Sequence, residues 1–261
     1  MMSILHVLIL GIIEGLTEFI PISSTGHLIL VGELLGIEGE GSKTFQIAIQ
    51  LGAIFAVIVS YPRYFLGFLD PKEWLQPKFK TLIIAILPIL VFGFLFYSPI
   101  KAYLFSSFTV ALGLIFGGIV MIIVDYYAKN RPLPTKEIED ISFKQALIIG
   151  VMQCAALWPG MSRSGSTIVG GLLTGLRYEL AATFSFLIAV PVMIVAVTYD
   201  MLKMASELSA ADAQAIGLGL LISFVVAIVA IKTFLRILSR VKLSPFGIYR
   251  IIIGILILLL F

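Results

Sequence analysis

The sequence predicts an all-α, polytopic integral membrane protein with six transmembrane helices and two re-entrant helix-loop-helix hairpins, arranged as an inverted-topology repeat. Hydrophobic residues make up 60% of its 261 residues and charged residues 13%, whereas a soluble domain has about 25% charged residues. Six apolar stretches have the length of a membrane span. Two other apolar regions are each interrupted by Pro, Gly and hydroxyl residues, as expected of helices that break inside a membrane protein.

The six apolar stretches are each close to the ~20 residues that a helix needs to cross a hydrocarbon core of ~30 Å. They cover approximately residues 43–61, 81–98, 108–127, 177–200, 213–235 and 245–261. We expect them to belong to one membrane domain over residues 1–261. The formal net charge is only +3 and the basic residues are scattered, so we expect no nucleic-acid partner.

Two regions, 3–36 and 144–175, are apolar but contain the segments PISSTG and PGMSRSG in their middle. Pro interrupts the backbone hydrogen bonds of a helix, and Ser and Thr side chains compete for them. Each region is therefore predicted to form two helices that meet at a loop. A half-helix over 27–36 would be about 15 Å long, so both loops can meet near the middle of the bilayer, in a polar cavity lined by protein.

The two broken regions align with each other without gaps at a constant offset. The aligned pairs include Gly11 with Gly150, Ser23 with Ser162, Gly26 with Gly165 and Phe45 with Phe184. At the same offset, the spans that follow the first region fall on the spans that follow the second. The chain is therefore predicted to be a duplication with halves 1–127 and 141–261.

Lys and Arg accumulate in the cytoplasmic loops of membrane proteins, and here they group in three connections. The groups are Arg63, Lys72, Lys78 and Lys80; Lys129, Arg131, Lys136 and Lys144; and Arg236, Arg240, Lys242 and Arg250. We expect these connections on the cytoplasmic side and both termini outside. An odd number of spans follows each broken region, so the two regions enter from opposite sides, as in an inverted-topology repeat. Asp125 lies near a predicted span end, where a charged side chain usually reaches the membrane surface.

The polar residues of the two loops predict a binding site for an anion. Each loop precedes a half-helix, whose N-terminal amides and dipole favour negative charge. Arg163 adds a guanidinium, which binds phosphate oxygens in bidentate geometry, so phosphate or diphosphate is the expected ligand. The candidate substrate-binding residues are Ser23, Thr25, Gly26, Ser162, Ser164, Gly165 and Thr167. Taken singly, Ser and Thr in membrane helices are more often packing residues, and Arg163 alone could form a structural salt bridge with a Glu.

Glu14 and Glu18 are spaced i, i+4, which places both carboxylates on one face of a helix near the first loop. Ionised carboxylates inside a membrane cost about 2.5 kcal/mol or more and are usually functional or paired. A divalent cation, Mg2+ or Ca2+, could bridge them to phosphate oxygens, since both metals prefer oxygen ligands. His27 follows Ser24 by one helical turn, which predicts a hydroxyl beside an imidazole that can activate it as a nucleophile.

The segments EGLTEFIPISSTGHLIL (14–30) and PGMSRSGSTI (159–168) closely resemble the two signature segments of the bacterial undecaprenyl-diphosphate phosphatase family, also called bacitracin-resistance proteins. The likeness covers nearly the whole chain. It implies hydrolysis of the lipid carrier undecaprenyl diphosphate to undecaprenyl phosphate and inorganic phosphate, which regenerates the carrier for cell-wall synthesis. It also implies a site in the bacterial cytoplasmic membrane that opens toward the periplasmic or outer face. The implied catalytic residues are Glu14, Glu18, Ser24, His27 and Arg163, with Glu14 and Glu18 as ligands of the metal.

The resulting hypothesis is that Ser24 attacks the terminal phosphorus with His27 as general base, while the polyprenyl tail stays in the lipid bilayer or in a groove between spans. His27 as the nucleophile and direct attack by metal-bound water remain open. A different function is open as well: inverted repeats with broken helices are common in secondary transporters, so the chain could be a transporter or flippase for an anionic lipid or solute. The sequence does not set the oligomeric state, and a homo-oligomer is one alternative.

Overall fold

The computed structural model describes residues 2–37, 40–68, 70–204 and 210–261, which form helices joined by loops. The helices are α1 (Ile4–Thr17), α2 (Ser24–Leu34), α3 (Glu40–Ser60), α4 (Pro62–Gly67), α5 (Pro77–Leu95), α6 (Tyr97–Tyr103), α7 (Ser107–Lys129), α8 (Phe143–Gln153), α9 (Arg163–Leu173), α10 (Tyr178–Met204), α11 (Ala210–Leu238) and α12 (Ser244–Leu260). Within the described ranges, β pairing is limited to one isolated bridge between Thr135 and Leu176. The all-α prediction is confirmed.

Five helices, α3, α5, α7, α10 and α11, are long and apolar enough to cross a membrane. They correspond to the first five predicted spans. The sixth predicted span is α12, whose 17 residues extend over about 26 Å and lie at the lower end of the range for a transmembrane helix. The chain is therefore a polytopic membrane protein, as predicted.

Each broken region consists of two short helices that meet at a loop. The connection between α1 and α2 is loop 1 (18–23), and the connection between α8 and α9 is loop 2 (154–162), which starts with a turn of 3-10 helix. The half-helices α2 and α9 each have 11 residues and a length of about 16 Å. Each is therefore long enough to reach from one surface of a hydrocarbon core to its middle.

The two halves of the chain pack through equivalent pairs of helices. α1 packs on α11, and its counterpart α8 packs on α5. Likewise α3 packs on α11, and its counterpart α10 packs on α5. In two further pairs, α3–α10 and α7–α12, a helix packs on its own counterpart. Equivalent packing of equivalent helices is expected of a duplicated fold. The limits of the repeat, 1–127 and 141–261, stay a prediction.

Glycines let the broken helices approach the long spans closely. A Cβ atom at Gly15 of α1 would lie 2.6 Å from the carbonyl oxygen of Ser223 in α11. A Cβ atom at Gly150 of α8 would lie 2.5 Å from the carbonyl oxygen of Ala85 in α5. Any side chain at these two positions would push the helices apart. Small residues are common at helix contacts within membranes because they let the backbones approach closely. The close contacts fix α1 and α8, and thereby the loops that follow them.

A buried carboxylate, Asp125, joins the ends of α7, α10 and α12. It accepts hydrogen bonds from the Tyr178 hydroxyl at 2.7 Å and from the Ser244 N–H at 3.0 Å. Lys129 forms a salt bridge with it at 3.0 Å. The prediction that Asp125 reaches the membrane surface is wrong, because its side chain is fully buried among these donors and binds the first amide of α12. The three helix ends that are predicted to be cytoplasmic therefore lie together.

Candidate active site

Loops 1 and 2 end in the same backbone conformation. Ser23 and Ser162, which align in the sequence, have φ angles of 70° and 67° and are the non-Gly residues with positive φ in the described part of the chain. Such angles are unfavourable for a residue that has a Cβ atom. The Ser23 hydroxyl accepts a hydrogen bond from the Gly26 N–H at 3.4 Å. The Ser162 hydroxyl accepts the equivalent bond from Gly165 at 3.1 Å, so α2 and α9 start in the same way.

The first residues of α2 and α9 meet at the carboxylate of Glu18 in loop 1. Ser24 donates its hydroxyl hydrogen to Glu18 Oε2 at 2.5 Å, and Arg163 Nη2 lies 3.2 Å from Glu18 Oε1. The Ser164 hydroxyl forms a second link between the regions by donating to the Ile20 carbonyl at 3.2 Å. An acid from the first broken region and a guanidinium from the second are therefore in direct contact, and both are largely buried.

The Arg163 guanidinium is held from several sides, and one of its three nitrogens has no partner among the described residues. Its Nη1 donates to the Ser185 carbonyl of α10 at 3.0 Å, and its central carbon lies 5.8 Å from the centre of the Phe19 ring. Phe19 packs edge-on against Phe186, with 5.2 Å between ring centres. Arg163 Nε is buried without a hydrogen-bond partner among the described residues, and guanidinium donors of this kind bind phosphate oxygens. The structural alternative for Arg163 is also realised, since Glu18 is its salt-bridge partner.

Both ring nitrogens of His27 are engaged with groups other than the Ser24 hydroxyl. Nδ1 lies 2.8 Å from the Ser23 carbonyl, and Nε2 lies 2.8 Å from the Tyr249 hydroxyl of α12. Because a carbonyl only accepts, Nδ1 carries the hydrogen, and Nε2 of the neutral ring accepts the hydrogen of Tyr249. The two rings also stack, with 5.5 Å between their centres and 8° between their planes. The predicted hydrogen bond between Ser24 and His27 is therefore not formed, and Ser24 donates to Glu18 instead.

Glu14 is fully buried one helical turn before Glu18, and neither of its carboxylate oxygens has a hydrogen-bond partner among the described residues. It lies within electrostatic range of Glu18 and Arg163. A buried carboxylate without a partner is costly, so a proton or a cation has to neutralise it at this position. The described residues contain no group of three or more His, Cys, Asp or Glu side chains that could hold a metal. Two carboxylates still fit Mg2+, which proteins usually bind through one or two carboxylates together with substrate phosphates.

The hydroxyls at the start of α9 are occupied by protein groups. Thr167 donates to the Ser185 hydroxyl at 2.6 Å. The hydroxyls of Ser162 and Ser164 are 3.1 Å apart. The packing interpretation of single Ser and Thr residues therefore applies here, and these side chains shape loop 2.

Glycines at the third position of α2 and α9 make room for neighbouring side chains. A Cβ atom at Gly26 would lie 2.9 Å from Leu114, and one at Gly165 would lie 2.9 Å from Arg250 Nη1. A larger residue at either position would displace these neighbours. Thr25, which precedes Gly26, is half-buried. The predicted site residues thus all lie at the two loops, in the last turn before loop 1 or in the first turns of the half-helices.

Two residues of α12 are absent from the prediction of the site: Tyr249, which contacts His27, and Arg250, which contacts both loops. The assignment of Arg250 to a basic cytoplasmic connection is wrong, because the side chain is fully buried and donates to carbonyls of both loops. A signal for it exists in the apolar run FGIYRIIIGILILLLF (246–261), where a single charge interrupts the pattern. Ionisable residues within membrane segments usually face the protein interior and are functional.

The chain is similar to known proteins over nearly its whole length. The family described as "Bacitracin resistance protein BacA" matches residues 7–256, which include both loops. A protein named undecaprenyl-diphosphatase from Wolinella succinogenes is 48% identical over 258 residues, which is 98% of both chains. Undecaprenyl-diphosphatase 1 of Bacillus anthracis is 46% identical over 260 residues, 98% of this chain and 97% of its own. The undecaprenyl-diphosphatase of Sulfurihydrogenibium sp. is 46% identical over 256 residues, 98% of both chains.

Proposed function

Since this chain belongs to the bacitracin resistance protein family BacA, we propose that it hydrolyses undecaprenyl diphosphate to undecaprenyl phosphate and inorganic phosphate. This reaction regenerates the lipid carrier for cell-wall synthesis and confers resistance to bacitracin. The observation that carries the proposal is the contact of Ser24 and Arg163 with the two oxygens of Glu18. It joins a nucleophile, a proton acceptor and a phosphate-binding cation in one buried site.

In the proposed mechanism, Ser24 is the nucleophile and Glu18 is its general base. The Ser24 proton passes to Glu18 Oε2, 2.5 Å away, as Oγ attacks the terminal phosphorus. The bond between this phosphorus and the bridging oxygen breaks, and undecaprenyl phosphate leaves with the electron pair. Water then attacks the phosphorus of the phosphoserine and releases inorganic phosphate, while Glu18 returns its proton to Oγ and restores the hydroxyl. His27 orients the start of α2 through its bond to the Ser23 carbonyl.

The diphosphate head group enters between loops 1 and 2, while the polyprenyl tail stays among the lipids, since only the head group needs polar partners. Arg163 binds an oxygen of the transferring phosphoryl group through its free Nε and stabilises the negative charge that gathers there. Its bonds to Glu18 and Ser185 keep the guanidinium in this orientation. The substrate is therefore a lipid whose charged end reaches the middle of the bilayer.

Glu14 and Glu18 would hold a divalent cation, Mg2+ or Ca2+. When bound, this cation would neutralise the two carboxylates and polarise the phosphate oxygens. The unpaired oxygens of Glu14 support the assignment, because no other group of the described residues satisfies them.

The proposed location is the bacterial cytoplasmic membrane, with the site open to the periplasmic or outer side. The three basic connections support this orientation, because loops rich in Lys and Arg usually lie on the cytoplasmic side of the membrane. A reporter enzyme that is active only outside the cytoplasm, fused after Phe261, is expected to be active in cells. If a reporter that works only in the cytoplasm is active at this position, the orientation is reversed.

Phosphate release from a prenyl diphosphate by the purified protein in detergent tests the proposed function. We expect release with Mg2+ or Ca2+ and its loss after chelation, because the paired carboxylates require a cation. Arg163→Ala should lower kcat/KM by about 10²- to 10³-fold, the usual effect of removing one donor to a developing negative charge. Arg177→Ala, which removes an exposed guanidinium near the start of α10, is the matched control and should keep the rate.

Folded wild-type protein that releases no phosphate with either metal would contradict the proposal and leave the transporter alternative. Equal rates for Arg163→Ala and Arg177→Ala would remove Arg163 from the site even if the activity is present.

Tyr249→Phe removes the hydroxyl that contacts His27 and keeps the stacked ring. We expect kcat/KM to fall by about three- to tenfold, the equivalent of one hydrogen bond. Tyr103→Phe, at a residue that is 78% exposed, is the control and should leave the rate unchanged. Equal rates for the two variants would mean that the hydrogen bond between Tyr249 and His27 does not contribute to catalysis.

A further inference from the structure

The Arg250 side chain of α12 contacts the backbone of both loops. Its Nη2 donates to the carbonyls of Gly160 and Met161 in loop 2, at 2.8 Å each. Its Nη1 lies 3.5 Å from the carbonyl of Pro21 in loop 1. A further bond from Nη2 to the Gly113 carbonyl of α7, at 3.2 Å, ties this cluster to a long span. One guanidinium thus satisfies backbone carbonyls of both broken regions.

Two glycines of neighbouring helices make room for the Arg250 side chain. A Cβ atom at Gly117 of α7 would lie 2.1 Å from Arg250 Nη2, and one at Gly165 of α9 would lie 2.9 Å from Nη1. The guanidinium therefore lies in contact with two glycines, and a side chain at either position would displace it.

The partners of Arg250 within the described residues include no carboxylate. They are the four carbonyls and the Met121 sulfur at 3.2 Å. A buried cation without an acid is expensive, and an apolar residue of similar volume usually packs at lower cost. Packing alone therefore does not account for a guanidinium here, whereas a connection between two irregular backbone segments does.

We propose that Arg250 is a positioning residue, which holds loops 1 and 2 at the separation where Arg163 reaches Glu18, the residue that also binds Ser24. The inference rests on the proposed function, since those three residues form the proposed site. Arginine suits the role because its planar fork offers five donors in fixed directions, whereas lysine offers a point charge on a flexible stem. Arg250 touches neither the reacting atoms nor the substrate, and acts through the loops.

The first test compares Arg250→Lys with Arg240→Lys, an exposed arginine beyond α11. The Arg250→Lys protein should remain folded, with a KM within about threefold and a kcat lower by about 100-fold, since small displacements of reacting groups have effects of this size. Hydrogen–deuterium exchange of the peptides that contain loops 1 and 2 should increase in both loops, and not in α3 and α10. Arg240→Lys should match the wild type in kcat and in exchange.

Gly117→Ala displaces the guanidinium without removing it and is the second variant. Its control is Gly217→Ala in α11, where an added Cβ atom has nothing within 4 Å. We expect Gly117→Ala to lower kcat and to raise exchange in both loops, and Gly217→Ala to do neither.

A folded Arg250→Lys or Gly117→Ala protein with wild-type kcat and unchanged loop exchange would overturn the inference. So would exchange that rises evenly over the chain, or failure of both variants to fold while their controls fold, because Arg250 would then only stabilise the fold. If the wild type releases no phosphate, the proposed function fails by itself, and the exchange of the two loops still decides the role of Arg250.

Discussion

The Ser24→Ala variant is expected to lose at least about 10⁴-fold in kcat, because the attacking oxygen is removed and the rest of the site is kept. Ser24 is buried at the start of α2, where its hydroxyl donates to Glu18. Single-turnover phosphate release measures the effect. The matched control is Ser223→Ala in α11, since the Ser223 hydroxyl is buried without a partner among the described residues and its loss should not change the rate.

Trapping of the phosphoenzyme distinguishes the three nucleophiles that remained open from the sequence. With substrate labelled in its terminal phosphate and rapid denaturation, we expect the label on Ser24. Label on His27 would make the imidazole the nucleophile, although its two nitrogens are engaged with Ser23 and Tyr249 in this structure. If competent trapping finds no covalent intermediate and Ser24→Ala stays active, water is the nucleophile.

The Glu18→Gln variant should have the second largest effect, a loss of about 10³-fold in kcat. The amide cannot take the Ser24 proton, and it leaves Arg163 buried without its charge partner, which costs about 3–5 kcal/mol of stability. Activity and the melting temperature in detergent should therefore both fall.

Glu73→Gln is the control for Glu18→Gln because Glu73 also pairs with a basic residue, Lys78, at 2.8 Å, but at the surface. Exposed pairs contribute about 1 kcal/mol or less, so activity and melting temperature should stay near the wild type. A Glu18→Gln protein that keeps its rate would exclude Glu18 as the general base.

Most of the architecture could be predicted because hydrophobic length and interruptions are local properties of the sequence. The span predicted over 177–200, for example, is α10 (Tyr178–Met204), and the polar segments around Ser23 and Ser162 do separate short helices. The two serines, which align in the sequence, also have nearly equal φ angles in the structure.

The contacts within the site depend on residues that are distant in the sequence, and here prediction failed in part. The His27 imidazole is held by Tyr249, a residue 222 positions away. Spacing alone suggested Ser24 as its partner, because short-range neighbours are what a sequence pattern can detect. The basic residues near Arg250 predict a place in a cytoplasmic connection, and the position of Asp125 near a span end predicts a place at the membrane surface. The protein itself provides the partners of both side chains inside the fold.

The matching starts of α2 and α9 have one more consequence. Directly after the two strained serines, the same structural position carries Ser24 in one half and Arg163 in the other. In the proposed mechanism, one half supplies the attacking oxygen and the other half supplies the guanidinium that binds the phosphoryl group. A chain built from two copies of either half would lack one of these two side chains, so we expect it to be inactive.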